Sequence, residues 1–476
     1  MNEVDVCVVG GGLAGSTAVA RASQLGLRAV LLEKSAEEHY LCNSRMTAGV
    51  FHLAVRSILD PPAELEKAIL SATHSAQPAM AHALASDAER AVRWLQSIGV
   101  RFIKGSPDPH HNFVVAPPAN HRNGPFDILG RGGDVLLGVL HKAILANGGT
   151  IRLGCAAKEL IVVDGACKGV VVETTAGDKD EVRAKSVIIA DGGFQTNHEL
   201  IKRYGIVSDP AFVVQRNSRT DLGDGLQMAL AAGARASDML GFYGHLLSVK
   251  ALDDDRLWPY PWLDLVSTAG IAVGRNGHRF ADESRGGIYL ANKVAALQPS
   301  GLAFAVFDQP IWDGPGRTYL NPPNPRLTEY EGTVFQADTL QELACKLKLP
   351  ADALRSEVDG YNNALENGTL GQLSPTKNTG NVVAYPIKTA PFYGVPMVAG
   401  ITYTMGGIAT DENCRALHAD GTPFVGLFAA GCAMGGAEGG EDVGYVGGLV
   451  KSAVTGLRAA EFIVNAAKSD TRQTVR

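Results

Sequence analysis

"VDVCVVGGGLAGSTAVARASQLGLRAVLLEK", residues 4–34, decides the fold. It opens with a short apolar run, residues 4–9, which predicts a strand buried on both faces. Three glycines, a helical pattern and a second apolar run ending at Glu33 follow in that order. The succession of strand, glycine turn, helix, strand and acid predicts an α/β unit that binds a dinucleotide.

The glycines of this stretch have the spacing Gly-x-Gly-x-x-Gly, at Gly10, Gly12 and Gly15. They admit a pyrophosphate to the N-terminus of the helix, where free N–H groups and the helix dipole favour an anion. Glu33 follows Gly15 by 18 residues, near the expected ~20, and we expect its carboxylate to accept hydrogen bonds from ribose hydroxyls. A glycine-rich turn in some other α/β protein is the alternative.

Two later stretches bear on whether the dinucleotide is FAD or NAD. "AKSVIIADGGF" (184–194) and "GLFAAGCAMGG" (426–436) are each an apolar run that leads into glycines. A chain that returns to the nucleotide site near its C-terminus resembles the FAD-binding fold. No second complete Gly-x-Gly-x-x-Gly unit with its own acid occurs, so a separate NAD(P)H domain is not predicted. FAD is therefore the expected cofactor.

The length and charge of the chain limit its function. Its 476 residues exceed one ordinary domain and suggest two. The net charge of −6 offers no basic surface for nucleic acid, which favours a small-molecule substrate. The 55 glycines exceed the usual share of ~7% and cluster in short stretches, as loops that approach a ligand would.

Membrane insertion, disulfides and metal binding are not expected. No apolar run reaches the ~18 residues of a membrane span, and no signal peptide precedes the first strand. The seven cysteines include no Cys-x-x-Cys pair, which favours reduced thiols in a cytoplasmic protein. His110, His111 and His121 lie in a Pro- and Asn-rich loop, where a solvated loop is preferred over a metal site.

Five further stretches complete a family pattern. They are "NSRMTAG" (43–49), "GDGLQMALAAGA" (223–234), "NGHRFADES" (276–284), "YTMGGIATD" (403–411) and "GLFAAG" (426–431). Together with the nucleotide stretch, and in this order, they resemble the flavoprotein superfamily of fumarate reductases and succinate dehydrogenases, which includes 3-ketosteroid dehydrogenases and tricarballylate dehydrogenases. The resemblance covers nearly the whole chain.

This resemblance implies an α/β fold in which a two-part Rossmann-type FAD-binding domain carries an inserted α+β cap domain. The FAD domain is expected over residues 1–238 and 404–476, and the cap or substrate domain over residues 239–403. The cofactor is expected to be FAD, bound non-covalently. The electron acceptor is not indicated, and NAD(P) is not an obvious one; the oligomeric state is likewise not predicted.

The same resemblance implies the residues that contact the cofactor. They are Gly10, Gly12, Leu13, Ala14, Gly15, Glu33, Lys34, Asn43, Ser44, Thr47, Ala48, Gly49, Asp191, Gly192, Gly193, Asp224, Gly406, Gly407, Gly431, Cys432, Gly447, Gly448 and Leu449. Two of them depart from the family pattern: Asp191 stands where Thr is usual, and Cys432 where Glu or Asn usually binds the ribityl hydroxyls. Glu438 or Glu441 is a possible replacement for that contact.

The family's fumarate reductases clamp a dicarboxylate with two histidines and an arginine. His245, in "FYGHLLS" (242–248), keeps the place of the first histidine, while Tyr403 takes that of the second. Tyr445 is the nearest candidate for the place of the clamp arginine, since no arginine occurs from 416 to 457. Because a buried carboxylate without a cation is costly, these changes disfavour a C4-dicarboxylate.

Phenols suit a ketone better, because a hydrogen bond to a carbonyl oxygen stabilises the enolate that develops there. By resemblance to 3-ketosteroid dehydrogenases, Tyr445 would contact the carbonyl and Tyr403 would assist it. Tyr289 would remove the α-proton, with Arg285 as its rival by analogy with the fumarate reductase acid. The expected reaction is oxidation, or the reverse reduction, of a C–C bond next to a carbonyl in a cyclic or steroid-like ketone.

Other interpretations remain open at this point. "QRNSRTDLGDG" (215–225) is similar to tricarballylate-type enzymes, so a polycarboxylic acid is the first alternative substrate. A degenerate flavin-binding redox subunit is the second alternative, favoured by Asp191 and Cys432. The tyrosines at 289, 403 and 445 could also serve only in packing, and His245 could be a satisfied core histidine.

Overall fold

The structure is a computed structural model that describes residues 3–74, 76–118, 124–318, 322–378 and 382–474. The predicted loop histidine His121 lies outside the described residues. The chain divides into two compact units. The first comprises Met1–Asn197, Asn217–Gly241 and Tyr403–Arg476, and the second comprises His198–Arg216 and Phe242–Thr402.

The helices and strands are numbered along the chain. The strands are β1 Val4–Val9, β2 Ala29–Leu32, β3 Phe102–Ile103, β4 Val114–Val115, β5 Thr150–Arg152, β6 Cys155–Val163, β7 Ala166–Thr174, β8 Lys179–Ile189, β9 Val213–Gln215, β10 Phe242–Ser248, β11 Ile271–Val273, β12 Ala303–Asp308, β13 Phe335–Ala337, β14 Phe392–Thr404, β15 Ile408–Ala409, β16 Arg415–Leu417, β17 Pro423–Ala429 and β18 Met434–Gly435. The helices are α1 Leu13–Gln24, α2 Asn43–Met46, α3 Pro62–Thr73, α4 Pro78–Ser97, α5 Gly132–Ala146, α6 His198–Arg203, α7 Asp224–Ala231, α8 Asp264–Ala269, α9 Gly287–Ala295, α10 Gln309–Asp313, α11 Pro323–Glu329, α12 Leu340–Leu347, α13 Ala351–Glu366 and α14 Gly448–Thr474.

A largely parallel sheet forms the centre of the first unit. Its main strand order is β16-β17-β8-β1-β2-β5, with β6 and β7 attached through β8. The first strand, β1, lies between β2 and β8 and pairs in parallel with both, so that Val8 is opposite Leu31 on one side and Ile188 on the other. These residues are fully buried because helices cover a parallel sheet, which explains why the strands read as continuous apolar runs.

Helix α1 follows the glycine turn and packs against α14 and α5. Its buried face is rich in Ala, Gly and Ser, and such small side chains allow close approach of neighbouring helices. The C-terminal strand β17 pairs in parallel with β8, which brings the start of α14 back towards the first glycine turn within this unit. The sequence expectation that the chain returns to its nucleotide turn is confirmed.

A six-stranded sheet forms the centre of the second unit, in the main order β10-β14-β12-β11. Strands β13 and β9 both pair with β14, β13 antiparallel and β9 parallel. The pairing of β12 with β14 places Ala305 opposite Val395, and both side chains are fully buried. Helices α8 to α13 belong to the same unit. The predicted fold class, a Rossmann-type α/β domain in two parts with an inserted α+β domain, is confirmed. The predicted domain bounds stay predictions, and residues 198–216 group with the second unit.

None of the described helices is both long enough and apolar enough to cross a membrane. The seven cysteines are all free thiols.

Candidate cofactor and substrate site

At the turn between β1 and α1, two of the three predicted glycines occupy positions that leave no room for a Cβ atom. Gly10 has a φ of +102°, and a Cβ there would lie 2.5 Å from the Cα of Asp191. A Cβ at Gly15 would lie 2.0 Å from the carbonyl oxygen of Gly10. Real Cβ atoms do not come so close, so the turn can form only with glycine at these positions.

Glu33 closes the turn at the end of β2. Its Oε2 accepts a hydrogen bond from the backbone N–H of Gly11, and its Oε1 accepts one from the N–H of Ser35, both at 3.0 Å. The N-terminus of α1 has a further partner, because Leu13 N–H donates to Ser44 Oγ at 2.9 Å. Glu33 is thus fixed beside the helix N-terminus, as the ribose acceptor of a dinucleotide site must be.

The turn opens into a cavity of about 400 Å³, lined entirely by the first unit. Thirteen of the predicted cofactor residues line it: Gly10, Gly12, Leu13, Ala14, Glu33, Lys34, Asn43, Ser44, Asp191, Gly192, Asp224, Gly431 and Cys432. The lining residues that the sequence analysis missed include Gly11, Cys42, Ala156, Lys158, Thr220, Asp221 and Ser452. Asp221 lies within the quoted stretch 215–225, two residues before the "GDG" segment, and this position was the signal that could have found it.

The other predicted cofactor residues do not line this cavity. They are Gly15, Thr47, Ala48, Gly49, Gly193, Gly406, Gly407, Gly447, Gly448 and Leu449. Several of these glycines are explained by chain packing, since a Cβ at Gly406 would lie 2.5 Å from Met239 Cα and one at Gly407 would lie 2.4 Å from the carbonyl oxygen of Ala433. Their predicted contacts with the cofactor stay predictions.

Two of the aspartates that line the cavity are Asp221, which is buried, and Asp191, which is half-buried. Asp191 Oδ2 accepts from the backbone N–H of Gly225 at 2.6 Å, but its Oδ1 is buried with no hydrogen-bond partner among the described residues. Burial raises the pKa of Asp191 to about 6, and it raises the pKa of Asp221 to about 7. Lys34 lies at the same rim and donates to the carbonyl oxygen of Thr220 at 2.6 Å.

This lining fits FAD. The glycine turn leaves room for a pyrophosphate at the helix N-terminus, Glu33 supplies a carboxylate for ribose, and the orphaned oxygen of Asp191 is a buried acceptor without a donor. A buried acceptor of this kind is costly unless a ligand hydroxyl or amino group reaches it. The hydroxyl-rich chain and sugar of a flavin dinucleotide offer such donors.

Cys432 lines the cavity as a thiol, since burial raises its pKa to about 12. Glu438 and Glu441, the suggested replacements for its family contact, are absent from the lining. Both oxygens of Glu438 are engaged elsewhere. Oε1 accepts from the Tyr403 hydroxyl at 2.9 Å and from the backbone N–H of Val446 at 3.1 Å, and Oε2 forms an ion pair with Lys451.

We call Tyr403, Glu438 and Lys451 the phenol–ion-pair cluster. All three side chains are buried in the first unit, and Lys451 Nζ lies 5.1 Å from the centre of the Tyr403 ring. Burial by itself lowers the pKa of Lys451, but the Glu438 carboxylate and Cys432 together outweigh it, so the net shift is upward. Burial and the nearby Glu438 charge hold the pKa of Tyr403 well above its ordinary value. Tyr403 is therefore a neutral phenol whose hydroxyl donates a hydrogen bond to Glu438.

Tyr445 lies on the loop that precedes α14. Its ring packs edge-on against His52, with ring centres 5.5 Å apart. The loop is fixed on both sides, because Ala54 N–H donates to the Val446 carbonyl at 2.8 Å and Gly439 and Gly444 exchange two backbone hydrogen bonds. Burial lowers the pKa of His52 to about 3, so this imidazole is neutral.

The predicted substrate residues of the second unit have their own partners there. His245 Nδ1 lies 2.7 Å from Asp264 Oδ2 and its Nε2 lies 3.1 Å from the Tyr243 hydroxyl. Its ring stacks on Trp262 with centres 3.6 Å apart. Burial lowers the pKa of His245 despite Asp264. With both ring nitrogens engaged, His245 fits the interpretation as a satisfied core histidine.

Arg285 and Tyr289 form a cation–π pair in the second unit. Arg285 ends a short 3-10 turn, Gly286 breaks the chain direction with a φ of +94°, and Tyr289 lies in α9. The guanidinium carbon lies 3.9 Å from the centre of the Tyr289 ring. Residues 285 to 289 therefore do not form one continuous helix, yet the two side chains are in contact. Which of them transfers a proton stays a prediction.

Asp108, His110 and His111 are the one group in the described part of the chain whose side chains could share a metal ion, with ligand atoms within 4.8 Å of one another. His111 is buried, contrary to the solvated loop that was expected, and its Nδ1 lies 2.7 Å from Ser106 Oγ. The expectation that the protein binds no metal stays a prediction.

A model of the family described as "FAD binding domain" matches residues 5–444. The chain belongs to this family. Its cofactor is FAD, as the fit of the cavity lining indicates, and the predicted cofactor is confirmed.

Three of the curated relatives differ in the substrate that their names give. A NADH:fumarate oxidoreductase of Klebsiella pneumoniae (strain 342) is 25% identical over 448 residues, 92% of this chain and 45% of that protein. A vinyl phenol reductase of Lactiplantibacillus plantarum is 26% identical over 465 residues, 90% of each chain. A 3-oxosteroid 1-dehydrogenase of Mycobacterium tuberculosis is 31% identical over 341 residues, 63% of this chain and 57% of the relative. The chain spans less than half of the first relative. The predicted flavoprotein superfamily is confirmed.

Among solved structures, the 3-ketosteroid Δ1-dehydrogenase of Sterolibacterium denitrificans has a TM-score of 0.72 at 20% identity. The match covers 98% of this chain and all of that one. This likeness shows the fold.

Proposed function

We propose that the protein is an FAD-dependent oxidoreductase that oxidises, or reversibly reduces, a C–C bond next to the carbonyl of a neutral cyclic or steroid-like ketone. The observation that carries this proposal is the charge balance of the phenol–ion-pair cluster. Lys451, the buried cation beside Tyr403, is neutralised by Glu438. A substrate carboxylate would find no net positive charge there, and burying it without one is costly.

In this proposal Tyr445 donates a hydrogen bond to the carbonyl oxygen and stabilises the charge that develops on it. Tyr289 removes the α-proton, or Arg285 handles it. Bound FAD supplies the acceptor or donor of the β-hydride. Glu33, Lys34, Ser44 and the glycine turn hold the cofactor, non-covalently.

The relatives support the chemistry more than the substrate. Their names combine fumarate, vinyl phenol and 3-oxosteroid, and the identities of 25–31% do not choose among them. A polycarboxylic acid is the alternative substrate class. The buried Arg216 does not favour it, since its Nε donates to the Pro259 carbonyl and its Nη1 donates to Thr402 Oγ1. We also propose a cytoplasmic location, because seven free thiols suit a reducing compartment.

The test is anaerobic bleaching of the flavin against a panel of cyclic ketones, steroid ketones, succinate and tricarballylate, with the reverse panel on reduced enzyme. We expect bleaching with a ketone and a loss of about 10²-fold in that rate in Tyr445→Phe at unchanged FAD content. Tyr330→Phe, in α11's C-cap, is the matched control. Efficient fumarate reduction would contradict the ketone proposal, and no bleaching by any compound would favour a degenerate flavin-binding subunit.

The non-covalent attachment has a separate test. Acid precipitation should release intact FAD into the supernatant, and flavin retained on the denatured chain would contradict the proposal.

A further inference from the structure

One carboxylate bonds both to the phenol of Tyr403 and to the backbone beside Tyr445. Glu438 Oε1 accepts from the Tyr403 hydroxyl at 2.9 Å and from the backbone N–H of Val446, the residue after Tyr445, at 3.1 Å. Its second oxygen pairs with Lys451 in the first turn of α14. A buried carboxylate with three donors fixes the positions of all three, because each would be costly to leave unpaired.

The loop between Glu438 and α14 is held by its own backbone contacts and, at Val446, by this carboxylate. Two backbone hydrogen bonds between Gly439 and Gly444, of 3.0 and 3.1 Å, close it into a narrow turn. Close packing fixes its far end, since a Cβ at Gly447 would lie 2.3 Å from the His52 carbonyl oxygen. Within this frame the N–H of Val446 is the backbone group that links Glu438 to the residue next to Tyr445.

Tyr403 and Tyr445 therefore have different chemical roles. The proton of the Tyr403 hydroxyl is directed to Glu438, so in this arrangement it is not donated to a substrate oxygen. The sequence analysis gave Tyr403 an assisting contact with the carbonyl. The geometry favours a different role for Tyr403, which is one of the groups that hydrogen-bond to Glu438.

We propose that Glu438 is a positioning residue, which holds Tyr403 and the loop of residues 439–447 so that Tyr445 presents its hydroxyl to the substrate carbonyl, with Lys451 balancing its charge. This inference rests on the proposed function, in which Tyr445 contacts the carbonyl oxygen. Glu438 itself does not touch the substrate in this account.

Two double variants test the hydrogen bonds of Glu438 while the ion pair is absent from both. Glu438→Gln with Lys451→Met removes both charges and keeps an oxygen that can accept from Tyr403 and Val446. Glu438→Leu with Lys451→Met removes the charges and the acceptor at similar side-chain size. We expect equal FAD content in both, a near wild-type rate of flavin reduction by saturating ketone in the glutamine variant, and a loss of about 10²-fold in the leucine variant. Equal rates in the two variants would overturn the proposal.

A second measurement needs no substrate. In the holoenzyme with ¹³Cζ-labelled tyrosine, the Tyr445 resonance is assigned by its disappearance in Tyr445→Phe. We expect it to move in the leucine variant and to stay in the glutamine variant. If wild-type enzyme reduces or oxidises no ketone while this pattern holds, the proposed function fails and the positioning of Tyr445 stands. An unchanged Tyr445 resonance in the leucine variant overturns the positioning.

Should the leucine variant fail to fold, Glu438→Asp with Lys451 retained takes its place. It keeps both charges and withdraws the carboxylate by one methylene. A slower flavin reduction with a shifted Tyr445 resonance supports the proposal, and wild-type values of both overturn it.

Discussion

The cofactor cavity and the phenol–ion-pair cluster belong to the same unit. The glycine turn of the cavity depends on backbone geometry, whereas the cluster depends on buried side chains. Backbone geometry makes the turn of the cavity, which consists of glycines that admit no Cβ and a helix N-terminus, and the Glu33 carboxylate accepts from a neighbouring N–H. Three buried side chains, Tyr403, Glu438 and Lys451, make the cluster, and each needs the others to be satisfied. A backbone site fails when atoms are added to it, whereas a side-chain cluster fails when one partner is removed.

Adding atoms at the glycine turn should have the largest effect. In Gly15→Val the Cβ would overlap the Gly10 carbonyl oxygen at 2.0 Å, which must displace α1 from the turn. We expect the purified protein to carry less than about a tenth of the wild-type FAD, measured by flavin absorbance per chain. The matched control is Gly138→Ala in α5, where an added Cβ meets nothing within 4 Å. Normal FAD in Gly15→Val would show that the turn does not bind the cofactor.

Removing one partner of the cluster should come next. Lys451→Met leaves the buried Glu438 without its cation, and we expect the free energy of unfolding to fall by about 3–5 kcal/mol, measured by denaturant titration. Adding Glu438→Gln should recover most of that loss, since no charge then remains. Arg93→Met, which breaks an exposed pair with Glu89, should cost no more than about 1 kcal/mol. Similar losses of stability in Lys451→Met and Arg93→Met would contradict the contrast between buried and exposed pairs.

Removing the charge of Glu33 should have a smaller effect, which we expect on the affinity for FAD. Glu33→Gln loses a charged acceptor for ribose and weakens its bonds to Gly11 and Ser35. We expect the dissociation constant of FAD to rise by about 10- to 100-fold, measured by fluorescence quenching on apoprotein, because hydrogen bonds to charged groups contribute ~1.5–3 kcal/mol. Glu37→Gln, at an exposed position, is the control. An unchanged affinity would remove Glu33 from the site.

The smallest effect should appear as a pH dependence. Burial raises the pKa of Asp221 to about 7, above its unfolded value, so the folded apoprotein binds a proton that the unfolded chain releases. The stability from this group is fully present below pH ~3.8 and is lost as pH rises through 7. Between pH 6 and pH 7 the free energy of unfolding should fall by about 1 kcal/mol. Asp221→Asn should remove that part of the slope, and an identical slope in both proteins would show that Asp221 does not titrate there.

The sequence by itself determined the nucleotide-binding half of the fold. Strand β1, the turn at Gly10 to Gly15, helix α1 and Glu33 follow one another within about thirty residues, and each obeys a local rule of sterics or hydrogen bonding. Local rules leave a trace in residue spacing, which is why the fold class, FAD and the family could be predicted. The substitution of Tyr403 and Tyr445 for expected charged residues was visible in the same way.

Only the tertiary structure decided what surrounds those phenols. Glu438 lies 35 residues from Tyr403 and 13 from Lys451, and nothing in the sequence marks a glutamate and a lysine as buried partners. The orphaned oxygen of Asp191 and the engaged nitrogens of His245 were equally hidden. The physical reason is that the free energy of a charge depends on its burial and on its partners. Both are set by contacts between segments distant in the chain, which no spacing within one segment records.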